Sequence, residues 1–261
     1  MTPTPENSTP RGNRFRGLSF NHMIPNILTL MALAAGLTAI RFGLEERWHH
    51  AVIAIVVAGV LDGLDGRIAR LLKGASKFGA ELDSLSDFVC FGVSPALVLY
   101  LWTMRDAGKF GWVLVMLFAI CCGLRLARFN VMMEDPDAPP WKSRFFTGVP
   151  APAGGGLVLL PMVFSFQMGD EFFRQPWVVG VFMFVLAAML VSTIPTYSFK
   201  KLKVERRWVL PIMLITGAIV VFLVNAPWLT LSLIGVVYLS LIPFSFRAHR
   251  ALEKGEKEKA E

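Results

Sequence analysis

Asp62 and Asp65 lie three residues apart in the chain, and Asp83 and Asp87 lie four apart. Positions at these spacings share a helix face, so on helices each pair presents two carboxylates to one side. A turn from Lys73 to Phe78 folds the two helices antiparallel and lets all four carboxylates converge. Bare carboxylates repel when gathered, and ionisable groups at membrane depth are costly, so hard divalent cations are the natural compensation. Oxygen ligands suit Mg²⁺ or Mn²⁺, and two such ions about 4 Å apart form a clamp for phosphoryl displacement. An acidic cluster inside a membrane also suits a transporter that moves ions or protons, and the carboxylates alone leave that alternative open. An EF-hand is excluded, because its loop needs carboxylates at alternate positions followed by a glycine and a distal glutamate.

The residues around the aspartates fit an anionic substrate. Gly66 and Ala69 remove bulk beside the carboxylates, and Gly79 lets the next helix begin close by or lets a phosphate reach main chain. Arg70, eight positions after Asp62, returns near the same face after two turns, where a guanidinium holds phosphate oxygens. Ser76 in the turn offers a further hydrogen bond.

The elements that position these groups are apolar. Hydrophobic residues make up 54% of the 261, charged residues 17%, and the mean hydropathy is +0.55, a composition foreign to soluble domains. Apolar runs near the 20 residues needed to cross a hydrocarbon core of about 30 Å recur along the chain, and in lipid they must be helices. No alternating strand pattern supports a barrel. Eight spans are predicted, over residues 25–43, 50–72, 81–102, 110–130, 149–166, 176–196, 208–224 and 226–245. About 11 apolar residues, Ala51 to Leu61, precede Asp62, which at 1.5 Å each places the cluster about halfway through the core, in a polar cavity open to one side.

Basic residues set the orientation. With these spans, 21 Lys and Arg fall on the side of the two termini and five on the other, which puts both termini in the cytoplasm. Much of the +7 net charge is therefore a topology signal, aided by anionic headgroups, and no aromatic-interleaved basic patch supports nucleic-acid binding. The first run lacks a cleavage pattern and reads as an uncleaved anchor. Cys90, Cys121 and Cys122 have neither disulfide nor zinc spacing and read as packing residues.

The complete spacing, Asp62-x2-Asp65-Gly66-x2-Ala69-Arg70-x8-Gly79-x3-Asp83-x3-Asp87, resembles the signature of the CDP-alcohol phosphotransferases, with eight fixed residues in 26. The resemblance implies an all-α polytopic fold with a six-helix core, homodimeric pairing, and transfer of a substituted phosphate from a CDP-linked donor to an alcohol with release of CMP. It implies that Asp62, Asp65, Asp83 and Asp87 hold two Mg²⁺ or Mn²⁺ ions and that Asp87 doubles as general base. It further implies that Gly66, Arg70, Ser76 and Gly79 contact CDP-diacylglycerol, with Asn26 and Thr29 of Pro25-Asn26-x2-Thr29 near the nucleotide. The organisation expected is a cytoplasmic tail over 1–20, the family core over 21–201, two additional helices over 202–246 and a charged tail over 247–261.

Other segments are similar to bacterial members of this family that use serine: Phe91-Gly-Val-Ser-Pro-Ala96, Leu124-Arg-Leu-Ala-Arg-Phe-Asn130, Phe146-Thr-Gly-Val-Pro-Ala-Pro152 and Tyr197-Ser-Phe-Lys-Lys201. L-Serine is then the expected acceptor and phosphatidylserine the product, in a bacterial cytoplasmic (inner) membrane with the site on the cytoplasmic side. Ser94, Arg125, Arg128, Asn130 and Lys142 are the candidate acceptor contacts, since a serine carboxylate needs a cationic partner. Glycerol 3-phosphate or inositol phosphate would share donor and mechanism but needs a more basic pocket. A transporter would need a pathway to the opposite face, where the loops offer only short segments bearing Glu45, Glu46, Asp170 and Glu171.

Overall fold

The computed structural model describes residues 20–72, 74, 76–133, 145–192, 195–197 and 206–242. Helix α1, Phe20–Leu44, accepts Pro25 in its second turn, and α2, Trp48–Leu71, runs back against it. The intervening turn puts Glu46 at φ 58° and is laced by exposed ion pairs, Arg41–Glu45 at 2.9 Å, Arg47–Glu45 at 3.6 Å and Arg105–Glu46 at 4.0 Å. Glu45 and Glu46, two of the few acidic residues that face offers a transporter, are thus paired with arginines.

The third span begins at Lys77, four residues before the expected start, because Ser76 caps it by accepting the Gly79 N–H at 3.0 Å. It is not one α-helix. Helix α3, Lys77–Asp87, widens into a π-helical segment over Phe88–Val93 before α4, Ser94–Trp102. Pro95 explains the change: its ring lacks an N–H and clashes with the carbonyl four residues back, that of Phe91, so the helix loosens there. Helix α6, Ala151–Val158, fits against the same place through Gly155, where an added Cβ would stand 2.7 Å from Phe91 Cα and 2.8 Å from its carbonyl oxygen.

Helix α5 is Lys109–Met133, followed by strand β1, Phe145–Thr147, α6, Ala151–Val158, and α7, Leu160–Met168. Pro161 in the first turn of α7 accounts for the break. A short α8, Asp170–Phe173, leads to α9, Pro176–Val191, strand β2, Pro195–Tyr197, and helices α10, Arg206–Asn225, and α11, Pro227–Ile242. The two three-residue strands, not anticipated, pair antiparallel with Phe146 opposite Thr196. They pair the chain just before α6 with the chain beyond α9.

The core lies among α2, the π segment, α4, α5, α6, α7 and α9, around Phe91, Leu99, Phe118, Met162, Met183 and Leu190. At the end away from the aspartates, His49 stacks on Phe166 at 4.0 Å and meets Trp228 at 5.0 Å, and Gln167 donates to Ser232 Oγ at 2.7 Å. These contacts bind α11 to α2 and α7. Met23–Leu44, Lys77–Trp102, Lys109–Val131 and Ala151–Met168 are long and apolar enough to cross a membrane, and the described parts of the last three expected spans are shorter apolar helices. The 16-residue α9 is about 24 Å long, less than a typical core. The protein is a multi-pass helical membrane protein.

Candidate active site

Helices α2 and α3 both pack on α1, and three of the four aspartates come together between them. One carboxylate oxygen from each of Asp62, Asp83 and Asp87 lies within 4.8 Å of the others, and Asp62 and Asp87 face each other at hydrogen-bond range. Asp65 lies outside this trio but lines the same cavity as Asp83, near enough for their charges to interact. It is 4% exposed, and Thr29 Oγ1 of α1 donates to its Oδ2 at 2.6 Å while lying 3.1 Å from the Pro25 carbonyl. Of the four carboxylates expected to converge, three have oxygens within 4.8 Å of one another, and the fourth, Asp65, lies beside Asp83 with its carboxylate held by α1. The hydroxyl turns Asp65 toward α1, a long-range contact that spacing along α2 does not encode.

Side-chain bonds hold α3 against α1. Ser86 Oγ donates to the Thr29 carbonyl at 3.3 Å, and Cys90 Sγ to that of Ala32 at 3.3 Å. Gly36 lets Cys90 sit close, since a Cβ there would come within 2.7 Å of its sulfur. Ser84 accepts from Asn130 Nδ2 at 2.9 Å, which anchors the end of α5 beside Asp83.

A cavity of about 120 Å³ opens next to the trio, lined by Asn26, Thr29, Asp65, Gly66, Ala69, Ser76, Gly79 and Asp83, with Pro25, Gly74 and Ala80. At Gly66 an added Cβ would meet no atom within 4 Å, so its bare main chain faces open space. Gly79 is instead crowded, its missing Cβ lying 2.8 Å from Asn26 Oδ1. Arg70, exposed in the last turn of α2, is not among the lining residues.

The expected acceptor residues divide. Arg128 donates to the Val191 carbonyl at 2.8 Å and the Ser192 carbonyl at 3.1 Å, capping α9. Arg125 is buried at 7% exposure, with its guanidinium 5.6 Å from the Phe129 ring, and it interacts electrostatically with Asp87. Ser94 is fully buried. Lys142 lies outside the described residues. Among the described residues, the buried side-chain atoms lacking a hydrogen-bond partner are Asp87 Oδ1, Ser94 Oγ, Arg125 Nε and the Tyr238 hydroxyl. Sequence reasoning missed Ser84 and Ser86. The serines flank the aspartates, and small polar residues at such positions commonly bond across membrane helices.

Three oxygen donors of one residue type, converging with an unpartnered Asp87 oxygen among them, fit a hard divalent cation. The chain matches the CDP-alcohol phosphatidyltransferase family over residues 22–194 and a second model of that name, CDP-alcohol phosphatidyltransferase 2, over 207–243. It belongs to the CDP-alcohol phosphatidyltransferase family. Similar proteins include three named CDP-diacylglycerol–serine O-phosphatidyltransferase. The one from Mycobacterium tuberculosis is 38% identical over 93% of this chain and 84% of its own length. That from Helicobacter pylori is 36% identical over 70% and 75%, and that from Bacillus subtilis 33% identical over 71% and 98%.

Proposed function

We propose that this protein transfers the phosphatidyl group of CDP-diacylglycerol to the hydroxyl of L-serine, giving phosphatidylserine and CMP. The observation that carries the reading is the meeting of Asp62, Asp83 and Asp87 from two helices, with oxygens within 4.8 Å of one another. The names of the relatives, similar over most of the chain, support serine as the alcohol.

Asp62, Asp83 and Asp87, with Asp65 alongside, would hold Mg²⁺ or Mn²⁺. Such ions supply Lewis-acid polarisation of the phosphate under attack and charge neutralisation of the departing CMP. The CDP head group is assigned to the cavity of Asn26, Thr29, Gly66, Ser76 and Gly79, with exposed Arg70, outside that lining, as a further contact for its phosphates. Gly66 admits it against main chain, and Thr29 fixes the Asp65 carboxylate beside it. The serine hydroxyl oxygen bonds to the phosphorus that bears the diacylglycerol. The bridging P–O bond breaks, CMP leaves with the bridging oxygen, and the hydroxyl proton passes to an Asp87 oxygen. Direct displacement needs no protein nucleophile. Arg125 and Ser94 are assigned to the acceptor, Arg125 meeting its carboxylate. Asn130 anchors Ser84 beside this site, and Arg128 positions α9.

The test is purified protein given CDP-diacylglycerol and, separately, serine, glycerol 3-phosphate, inositol phosphate or inositol. The expected result is CMP release and phosphatidylserine with serine alone, lost in EDTA and restored by Mg²⁺ or Mn²⁺. A phospholipid product formed with another alcohol and none with serine overturns the assignment, and full turnover in EDTA overturns the metal role.

A further inference from the structure

Two cavities lie along one stripe of α2. Gly66 lines the polar cavity beside the aspartates, while Gly59, Ile55 and Val52 line an apolar one of about 240 Å³. Asp62, three residues after Gly59 and four before Gly66, falls between the two on the same helix face. Phe91, four residues after Asp87 on the facing span, also lines the apolar cavity, and α6, α7 and α11 close it with Gly156, Leu160 and Ile234. Packed interiors hold few cavities larger than a water molecule, and an apolar one of this size takes up apolar matter rather than water.

Tyr238 of α11 is the one polar side chain among the lining residues. Trp228 near the start of α11 meets His49 near the start of α2 at 5.0 Å, and Tyr238 and Gly59, each ten residues further on, line the same cavity. The two helices therefore run parallel here, and the phenol lies about level with Gly59, at the end of the cavity nearest the aspartates. Its hydroxyl is buried and has no hydrogen-bond partner among the described residues. Hydrocarbon walls with a single donor at the end nearest the phosphoryl-transfer site match an acyl chain and the ester at its root.

We propose that this cavity receives one acyl chain of CDP-diacylglycerol, that the Tyr238 hydroxyl donates to its ester carbonyl, and that α11 thereby walls a pocket selecting the donor by chain length. The inference rests on CDP-diacylglycerol being the donor. Head and tail then lie on either side of Asp62 along one helix, with the reacting phosphate between them. It also gives a part in donor selection to α11, which lies beyond the 22–194 family match.

A Cβ on Gly156 would meet no atom within 4 Å, so a leucine fits there and takes space otherwise open to the chain. In mixed micelles, Gly156→Leu should lower kcat/KM for CDP-dioleoylglycerol about tenfold relative to CDP-dioctanoylglycerol, as overfilling an apolar site does. Tyr238→Phe, which keeps the ring, should raise the KM for both donors about fivefold, the worth of one hydrogen bond, with the KM for serine unmoved. An unchanged chain-length ratio in Gly156→Leu overturns the acyl assignment, and so does an equal loss with both donors, which marks damaged packing. An unmoved donor KM in Tyr238→Phe overturns the ester contact, and it decides the proposal alone where Gly156→Leu does not fold. Wild-type protein that releases no CMP from CDP-diacylglycerol with any alcohol removes the proposed function itself, a result read before any variant is made.

Discussion

Asp87 combines two demands on one side chain: one face of its carboxylate meets Asp62, and Oδ1 has no hydrogen-bond partner. A group that both helps hold a cation and takes a proton tolerates replacement of its charge poorly. Asp87→Asn should lower kcat by on the order of 10²–10⁴-fold while CDP-diacylglycerol still protects the protein in a thermal-shift assay, and near-normal turnover would remove Asp87 from the proton's path. The trio was legible at this scale because helical spacing of three and four puts carboxylates on one face. The separation of Asp65 was not, because Thr29, 36 residues earlier, decides where that carboxylate points.

At the scale of elements, Arg128 near the end of α5 and Gly148 before α6 gain a structural meaning. Arg128 reaches the last carbonyls of α9, and Gly148, at φ +80°, turns the chain there; a Cβ on it would stand 2.8 Å from the Leu190 carbonyl and 3.2 Å from Arg128 Nη2. Cation and helix end match in sign, since unpaired carbonyls give the C-terminus partial negative charge. Arg128→Ala should cost about 2 kcal/mol, read as a lowered thermal midpoint in detergent, with the KM for serine little changed. A raised KM at unaltered stability would return Arg128 to the acceptor. Helix positions were readable from hydropathy, and α1, α2 and α5 lie close to their expected ranges. The π segment before Pro95 and the short strand pair were not, because both answer to neighbours packed from elsewhere in the chain.

The whole molecule adds orientation to these parts. The excess of basic residues at the aspartate end predicts that this end faces the cytoplasm. In a functional variant lacking the native cysteines, a membrane-impermeant thiol reagent applied to intact cells should label a cysteine at Arg105 and spare one at exposed Arg67 until the membrane is opened. The reverse pattern would invert the protein and its site. Gly63 and Gly66 on α2 bring a different consequence, for at neither does a Cβ meet another atom within 4 Å. Paired membrane helices commonly approach each other through such small residues. Beside Gly66 the neighbour is the cavity of Asn26 and Thr29, so the surface that would seat a helix is left for a ligand to read as naked peptide. Mutational tolerance there becomes one-sided: alanine at Gly66 should cost the fold little and the ligand much, so selection on that residue acts through catalysis and is invisible to any screen for stability alone.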